Sequence, residues 1–122
     1  MADATQLGQG NYIGTEVCLA SEVTIGNHCI LHNGVIIESE THIHDWVEIG
    51  AGSIIGSQVT LEEEVFIGMG VTIISGVTIQ KGASIGAGSV VLGNVKKGDV
   101  LLGNPAKSIQ PSKKVNAGLG LL

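Results

Sequence analysis

The sequence has 122 residues and a net charge of −5; it is 43% hydrophobic but only 2% aromatic, with 19 glycines and two cysteines. This length suits one domain, and two cysteines are too few for a disulfide scaffold. No apolar run approaches the ~20 residues of a membrane span, and the N-terminal segment lacks the features of a secretory signal. We therefore expect a cytoplasmic protein whose partners include neither a membrane nor a nucleic acid.

After a lead-in of residues 1–6, an aliphatic residue recurs at every sixth position. The series is Leu7, Ile13, Leu19, Ile25, Leu31, Ile37, Ile43, Ile49, Ile55, Leu61, Ile67, Ile73, Ile79, Ile85 and Val91. A period of six fits neither a helix nor a half-buried strand as one long element. It fits short strands joined by tight corners, with three hexapeptides closing a triangular coil. The pattern predicts an all-β fold, a parallel β-helix of five 18-residue coils over residues 7–96, followed by a C-terminal cap and tail over residues 97–122.

Within each hexapeptide, the first and fifth positions are expected to point inward and the fourth and sixth outward. The residue after the aliphatic position is often glycine, as at Gly26 and Gly50. We expect it at the corner, because glycine tolerates positive φ.

Residues 18 apart should stack on one of three faces. The first face carries polar residues such as Thr24 and Thr60, the second carries all three aromatic residues, and the third carries stacked glycines beside an aliphatic stripe. Uncharged pairs, such as Gly68–Met69, mark the edge between the second and third faces. These apolar surfaces predict a homotrimer in which the second face of one chain packs on the third face of the next.

Such a trimer would bring two outer edges of neighbouring chains together. The predicted cleft is lined by Glu38, Ser39 and His42 of one chain and by His44 and Asp45 of the next. Neither set forms a site alone. We predict Glu38, His42, His44 and Asp45 as catalytic, because histidine titrates near neutral pH and can act as a general base.

Charge is divided along the chain. All six basic residues lie at or beyond Lys81, and ten of the eleven acids lie at or before Glu64. One interpretation is two solvated surfaces; the other is a polyanion, such as a phosphate-rich cofactor, held toward the C-terminal end.

The segment from Val65 to Val91, followed by Gly103-Asn-Pro-Ala-Lys107, resembles the hexapeptide-repeat acyltransferases, in particular the subgroup that acetylates sialic acid or nucleotide-linked amino sugars. The resemblance implies a left-handed β-helix, a trimer and one acetyl-CoA per groove between subunits. It further implies that the pantetheine arm lies near Gly70 and Gly88, with the phosphates and adenine toward Pro105, Ala106 and Lys107. The acceptor would be a small molecule, such as an amino sugar or a nucleotide sugar.

The sequence departs from that subgroup in two places. The usual catalytic histidine corresponds here to Ser39, so His42 or His44, with Asp45 beside it, is expected to replace it. Because the repeat begins at Leu7, the subgroup's N-terminal sugar-nucleotide-binding domain is expected to be missing or supplied separately. His28 and His32 are expected to have packing or structural roles.

Two other functions stay open. The first is a non-catalytic trimeric scaffold or binding module that has lost the catalytic histidine, as Ser39 suggests. The second is a metalloenzyme like the γ-class carbonic anhydrases, which share this fold. Since the positions matching that family's histidine pair hold Ala51 and Gly56, we expect no metal.

Overall fold

The computed structural model describes residues 5–109, which form a β-solenoid of about five turns and a C-terminal hairpin. Every turn is built from short strands, as the six-residue period predicts. The strands are β1 (Gln6–Leu7), β2 (Tyr12–Ile13), β3 (Cys18–Leu19), β4 (Thr24–Ile25), β5 (Ile30–Leu31), β6 (Ile36–Ile37), β7 (His42–Ile43), β8 (Glu48–Ile49), β9 (Ile54–Ile55), β10 (Thr60–Leu61), β11 (Phe66–Ile67), β12 (Thr72–Ile73), β13 (Thr78–Ile79), β14 (Ser84–Ile85), β15 (Val90–Val91), β16 (Val100–Gly103) and β17 (Ala106–Ser108).

Three sheets form the three faces of the solenoid. The first sheet has the order β1-β4-β7-β10-β13, the second β2-β5-β8-β11-β14-β16-β17, and the third β3-β6-β9-β12-β15. Each strand up to β15 pairs in parallel with the strand one coil away, so that Thr24 lies beside His42 and Ile25 beside Ile43. The predicted all-β parallel β-helix of five coils is confirmed.

The core is a stack of aliphatic side chains from the first and fifth positions of the hexapeptides. Ile37, Ile49 and Ile55, for example, are fully buried. Each fully buried side chain of this size contributes roughly 1.5–3 kcal/mol. The regular spacing of the strands lets aliphatic residues fill the interior without aromatic ones, which explains the low aromatic content.

Buried polar side chains at the fifth position connect one coil to the next. The Ser53 hydroxyl donates to the carbonyl of Gly68 at 2.8 Å and accepts from the N–H of Val71 at 3.1 Å. Thr41 makes the equivalent pair of bonds to Gly56 and Val59. Within residues 5–109, hydroxyls therefore occupy core positions without leaving a buried side-chain polar atom unsatisfied.

The expectation that the glycine after the aliphatic residue adopts positive φ is wrong. Positive φ occurs instead at the fourth position, as in Trp46 (62°) and Gly70 (63°). Gly50 is required for another reason: a Cβ there would lie 2.5 Å from the backbone carbon of Gly68 in the next coil. Close approach of successive coils, and not the backbone conformation, therefore selects the glycine that follows the aliphatic residue.

The stacked glycines of the third face have a local explanation. Gly34, Gly52, Gly70 and Gly88 all have positive φ, between 63° and 75°. A side chain on Gly52, Gly70 or Gly88 would meet nothing within 4 Å. The backbone conformation alone therefore accounts for this series of glycines.

The chain continues beyond the fifth coil. Val95 pairs with Ile79 in the first sheet, and β16 pairs with β14 in the second, each with a 16-residue offset where the coils below have 18. β17 then returns antiparallel to β16. The N–H of Gly103 donates to the Ser89 hydroxyl at 3.0 Å, which holds the hairpin over the last strand of the third sheet. Within residues 5–109 there is no helix able to cross a membrane.

Candidate functional site

A groove of about 600 Å³ runs along the N-terminal half of the first sheet. It contains three of the four predicted catalytic residues: His42, His44 and Asp45. Glu38 does not line it, because Glu38 lies at the corner between the third and first sheets, whereas His44 and Asp45 lie at the corner between the first and second. One chain therefore brings together only part of the predicted cleft.

His42 projects from β7 into this groove. Its Nδ1 lies 2.7 Å from the Thr24 hydroxyl in the preceding coil, a contact made because residues 18 apart are paired in the first sheet. A hydroxyl either donates or accepts, so this contact allows both neutral tautomers of the ring. Thr24 positions the imidazole without fixing which nitrogen carries the proton.

Asp45 follows His44 in the sequence, but its carboxylate contacts a neighbouring coil. The Asp45 carboxylate accepts the backbone N–H of Asn27 at 2.8 Å, so it serves as a link between coils. The carboxylate beside His44 is Glu63, whose Oε2 lies 3.5 Å from Nδ1, and both side chains are about half exposed. The sequence pattern does not reveal this contact, because Glu63 lies 19 residues from His44 and the stacking period is 18.

The predicted cofactor residues lie elsewhere. Gly70 and Gly88 occupy the corner between the second and third sheets, while Pro105, Ala106 and Lys107 lie in the C-terminal hairpin. The bond from Gly103 to Ser89 brings the hairpin turn to the upper end of that same corner, next to Gly88. Pro105 and Lys107 are exposed. These residues share one end of the solenoid, which the histidine groove does not reach.

A second cavity, of about 250 Å³, lies where the second sheet meets that glycine-rich corner. Phe66, Met69 and two corner glycines form most of its wall, and His32 and Glu48 supply its titratable groups. His32 Nε2 lies 2.9 Å from Glu48 Oε2, with both side chains about 40% exposed. An exposed pair of this kind contributes about 0–1 kcal/mol to stability. Sequence analysis assigned His32 a structural role and missed the pair, since the two residues are 16 apart.

The remaining histidine and the buried cysteine have packing roles. His28 stacks on Trp46, with ring centroids 4.5 Å apart. Burial raises the pKa of the Cys29 thiol, which donates to the carbonyl of His44 at 3.0 Å. A thiol held in its neutral form is a poor nucleophile. Between residues 5 and 109, no three potential metal ligands come together.

The model of the bacterial transferase hexapeptide family (six repeats) matches residues 29–63 and 59–93, more than half of the chain. Comparison of the sequence with curated proteins gives no match.

Among solved structures, the chain is similar to a variant of GDP-perosamine N-acetyltransferase from Caulobacter crescentus in complex with CoA and GDP-perosamine. The TM-score is 0.88 at 27% identity, over 89% of this chain and 52% of that one. The chain thus spans about half the length of that protein.

Two more distant structures share the fold. A hexapeptide-repeat acetyltransferase from Vibrio cholerae O1 biovar eltor, complexed with acetyl-CoA, gives a TM-score of 0.78 at 22% identity, over 88% of this chain and 71% of that one. A variant of the N-acyltransferase AntD from Bacillus cereus, in complex with dTDP and coenzyme A, gives 0.70 at 19% identity, over 94% and 88%.

Proposed function

The chain belongs to the bacterial transferase hexapeptide family, and we propose that it transfers an acyl group, most simply acetyl, from acetyl-CoA to a small acceptor. The acceptor group is an amine or a hydroxyl on a sugar or similar molecule. The acetyltransferase from Caulobacter, similar over 89% of this chain, was solved with CoA and a nucleotide-linked amino sugar.

The observation that carries this proposal is the basic hairpin end of the solenoid. Lys107 is exposed in the hairpin, and Lys96 and Lys97 are exposed in the segment that leads into it. Asp99 is the one acid beyond Glu64. Acetyl-CoA carries several phosphates, which bind best where ammonium groups gather. We propose that the phosphates and the pantetheine arm bind at the exposed hairpin and the nearby Gly88.

We propose further that the active assembly is a homotrimer. Tyr12 and Phe66 on the second sheet are 56% and 44% exposed, Ile54 on the third sheet is 41% exposed, and Met69 at the corner between them is 64% exposed. Exposed apolar side chains on two adjoining faces support contact with another protein surface. A second copy of the chain offers both faces, and a closed ring of three copies covers them all.

In this trimer, the groove residues would complete a site between subunits. His42 and His44 are the groove's candidate bases, and Glu63 is placed to stabilise the charged form of His44. Asp45 would hold the corner through Asn27, and Glu38 would come from the neighbouring chain. The groove side of the solenoid has no lysine before Lys81, which favours an acceptor bearing an amine over one that depends on phosphate contacts there.

Calorimetric titration with acetyl-CoA tests the proposal. We expect about one molecule bound per chain, and Lys107→Ala should weaken binding by roughly tenfold, the effect of losing about 1.4 kcal/mol from one charge-assisted contact. Lys81→Ala, which removes the same charge at the corner away from the hairpin, is the matched control and should change binding little. Absence of binding at millimolar acetyl-CoA would favour the non-catalytic scaffold.

A further inference from the structure

We propose that three copies of His32, one from each chain of the homotrimer, bind a single divalent transition-metal ion such as Zn²⁺ on the three-fold axis. Glu48 of each chain orients the imidazole of that chain. The inference rests on the homotrimer proposed above and not on acyl transfer. The ion has a structural role, since it joins the three chains where their interfaces meet.

The first argument is the position of His32 in a ring of three copies. His32 lies at the corner between the second and third sheets, beside β5 of the second sheet. When the second sheet of each chain packs on the third sheet of the next, the corner that these two sheets share faces the symmetry axis. Three-fold symmetry then places the three His32 side chains at one height around that axis.

The second argument is what else lies along this corner. In the other four coils the position equivalent to His32 holds a glycine, at which a Cβ would lie within 2.8 Å of another residue: Gly14, Gly50, Gly68 and Gly86. His32 therefore carries the only side chain of this series, and a bare backbone above and below it lets the three corners approach closely. The adjacent Asn33 is engaged within its own chain, because its side-chain oxygen accepts the N–H of Thr15 at 2.8 Å.

The third argument concerns the proton on the ring. An ionised carboxylate only accepts hydrogen bonds, so Nε2 of His32 carries the proton that Glu48 accepts at 2.9 Å. Nδ1 then carries the lone pair that a metal ion requires, and within residues 5–109 it has no hydrogen-bond partner. Metal-binding histidines commonly donate their second ring N–H to a carboxylate, which fixes the tautomer and the direction of the lone pair. The contact of His42 with Thr24 imposes no such choice.

The charge around the axis suits a cation. All six lysines lie at or beyond Lys81, so the coil that carries His32 has no ammonium group to repel a metal ion. Three Glu48 carboxylates, one behind each imidazole, offset the charge of the ion. Three imidazole nitrogens form a donor set that Zn²⁺ accepts, with a water in the fourth position. The expectation of no metal concerned Ala51 and Gly56 within one chain, whereas this site is complete only in the trimer.

The test is Zn²⁺ titration of the full chain, prepared without a histidine tag and freed of metal with EDTA, followed by calorimetry and light scattering. We expect one Zn²⁺ bound per three chains and a higher Tm of the trimer when the ion is bound. Co²⁺ in place of Zn²⁺ should give the visible absorption of a tetrahedral site. His32→Ala should abolish the binding, the Co²⁺ spectrum and the rise in Tm.

Two further variants separate this site from other histidines. Glu48→Gln should weaken Zn²⁺ binding about 10–100-fold, the usual effect of losing a carboxylate behind a metal-binding histidine. His28→Ala, which removes a histidine stacked on Trp46, is the matched control and should bind Zn²⁺ as the wild type does.

Several results would overturn the axial site. They are a wild-type trimer that binds no Zn²⁺, a ratio of one ion per chain, or undiminished binding by His32→Ala. A monomeric wild type removes the axial site together with the homotrimer. Acetyl-CoA calorimetry on the metal-free protein judges the proposed function separately, because the cofactor surface at the hairpin does not include His32.

Discussion

At the scale of single residues, glycine has two separate roles in this solenoid. At the fourth position of the hexapeptide, glycine adopts the left-handed backbone conformation without steric strain. Seven residues other than glycine also have positive φ at that position. At the second position glycine permits contact between successive coils, as Gly50 does against Gly68 and Met69. The two roles predict that replacing glycine by alanine lowers the free energy of unfolding by different amounts at the two positions.

Two neighbouring glycines allow that comparison. Gly52→Ala should cost about 1–2 kcal/mol, because the methyl group has open space and only the positive φ of 71° is unfavourable. Gly50→Ala should cost more, about 3 kcal/mol or above, since the backbone of the next coil must move. Denaturant unfolding of both variants measures the difference. Equal losses would contradict the two-role account.

At the scale of one coil, the inward hydroxyls act as connectors between hexapeptides. Ser53 bonds both a carbonyl 15 residues ahead and an N–H 18 residues ahead, and Thr41 repeats the same geometry. Each such side chain satisfies two backbone groups in a buried position. Each coil that carries such a hydroxyl is therefore stabilised by specific hydrogen bonds as well as by aliphatic packing.

Removing one of these buried hydroxyls should lower the free energy of unfolding. Ser53→Ala is expected to destabilise the fold by about 1–3 kcal/mol, because the buried Val71 N–H loses its partner. Ser57→Ala, which removes an exposed hydroxyl bonded to Ser75, is the control and should cost less than about 0.5 kcal/mol. Thermal or chemical unfolding separates the two, and similar losses for both would refute a special role for the buried hydroxyl.

Much of this organisation follows from the six-residue period, and the exceptions share one cause. The period predicts the coil, the three sheets and the inward positions, because pairing at a fixed 18-residue offset is set by the repeat itself. The two histidine–carboxylate contacts run diagonally between coils, 16 residues apart for His32 and Glu48 and 19 for His44 and Glu63. Stacking at 18 residues cannot reveal such contacts, because side-chain rotamers decide them.

At the scale of the whole molecule, polarity and charge divide the surface. The first sheet is polar, the second and third expose aromatic and aliphatic side chains, and the lysines collect at the C-terminal end. A trimer that covers the second and third sheets leaves the polar sheet in water. This division predicts that the second and third sheets form the interface and that the C-terminal end binds an anion.

Charge placed on the predicted interface should break the assembly. Phe66→Asp puts a carboxylate on the second sheet and should convert trimers to monomers in light scattering, because an unpaired charge is costly to bury. Thr78→Asp, an outward position on the first sheet, should leave the trimer intact. A wild-type chain that is monomeric at micromolar concentration, or a trimeric Phe66→Asp variant, would disprove this interface.

Hydrogen–deuterium exchange of the full chain, with and without acetyl-CoA, tests whether acetyl-CoA binds at the hairpin. We expect slower exchange in two segments, residues 86–90 and residues 103–108, where the glycine corner meets the basic hairpin. No comparable change is expected in β1 and β4, at the opposite end of the first sheet. Protection confined to that opposite end, or none anywhere at saturating acetyl-CoA, would contradict an acyl-CoA site at the hairpin.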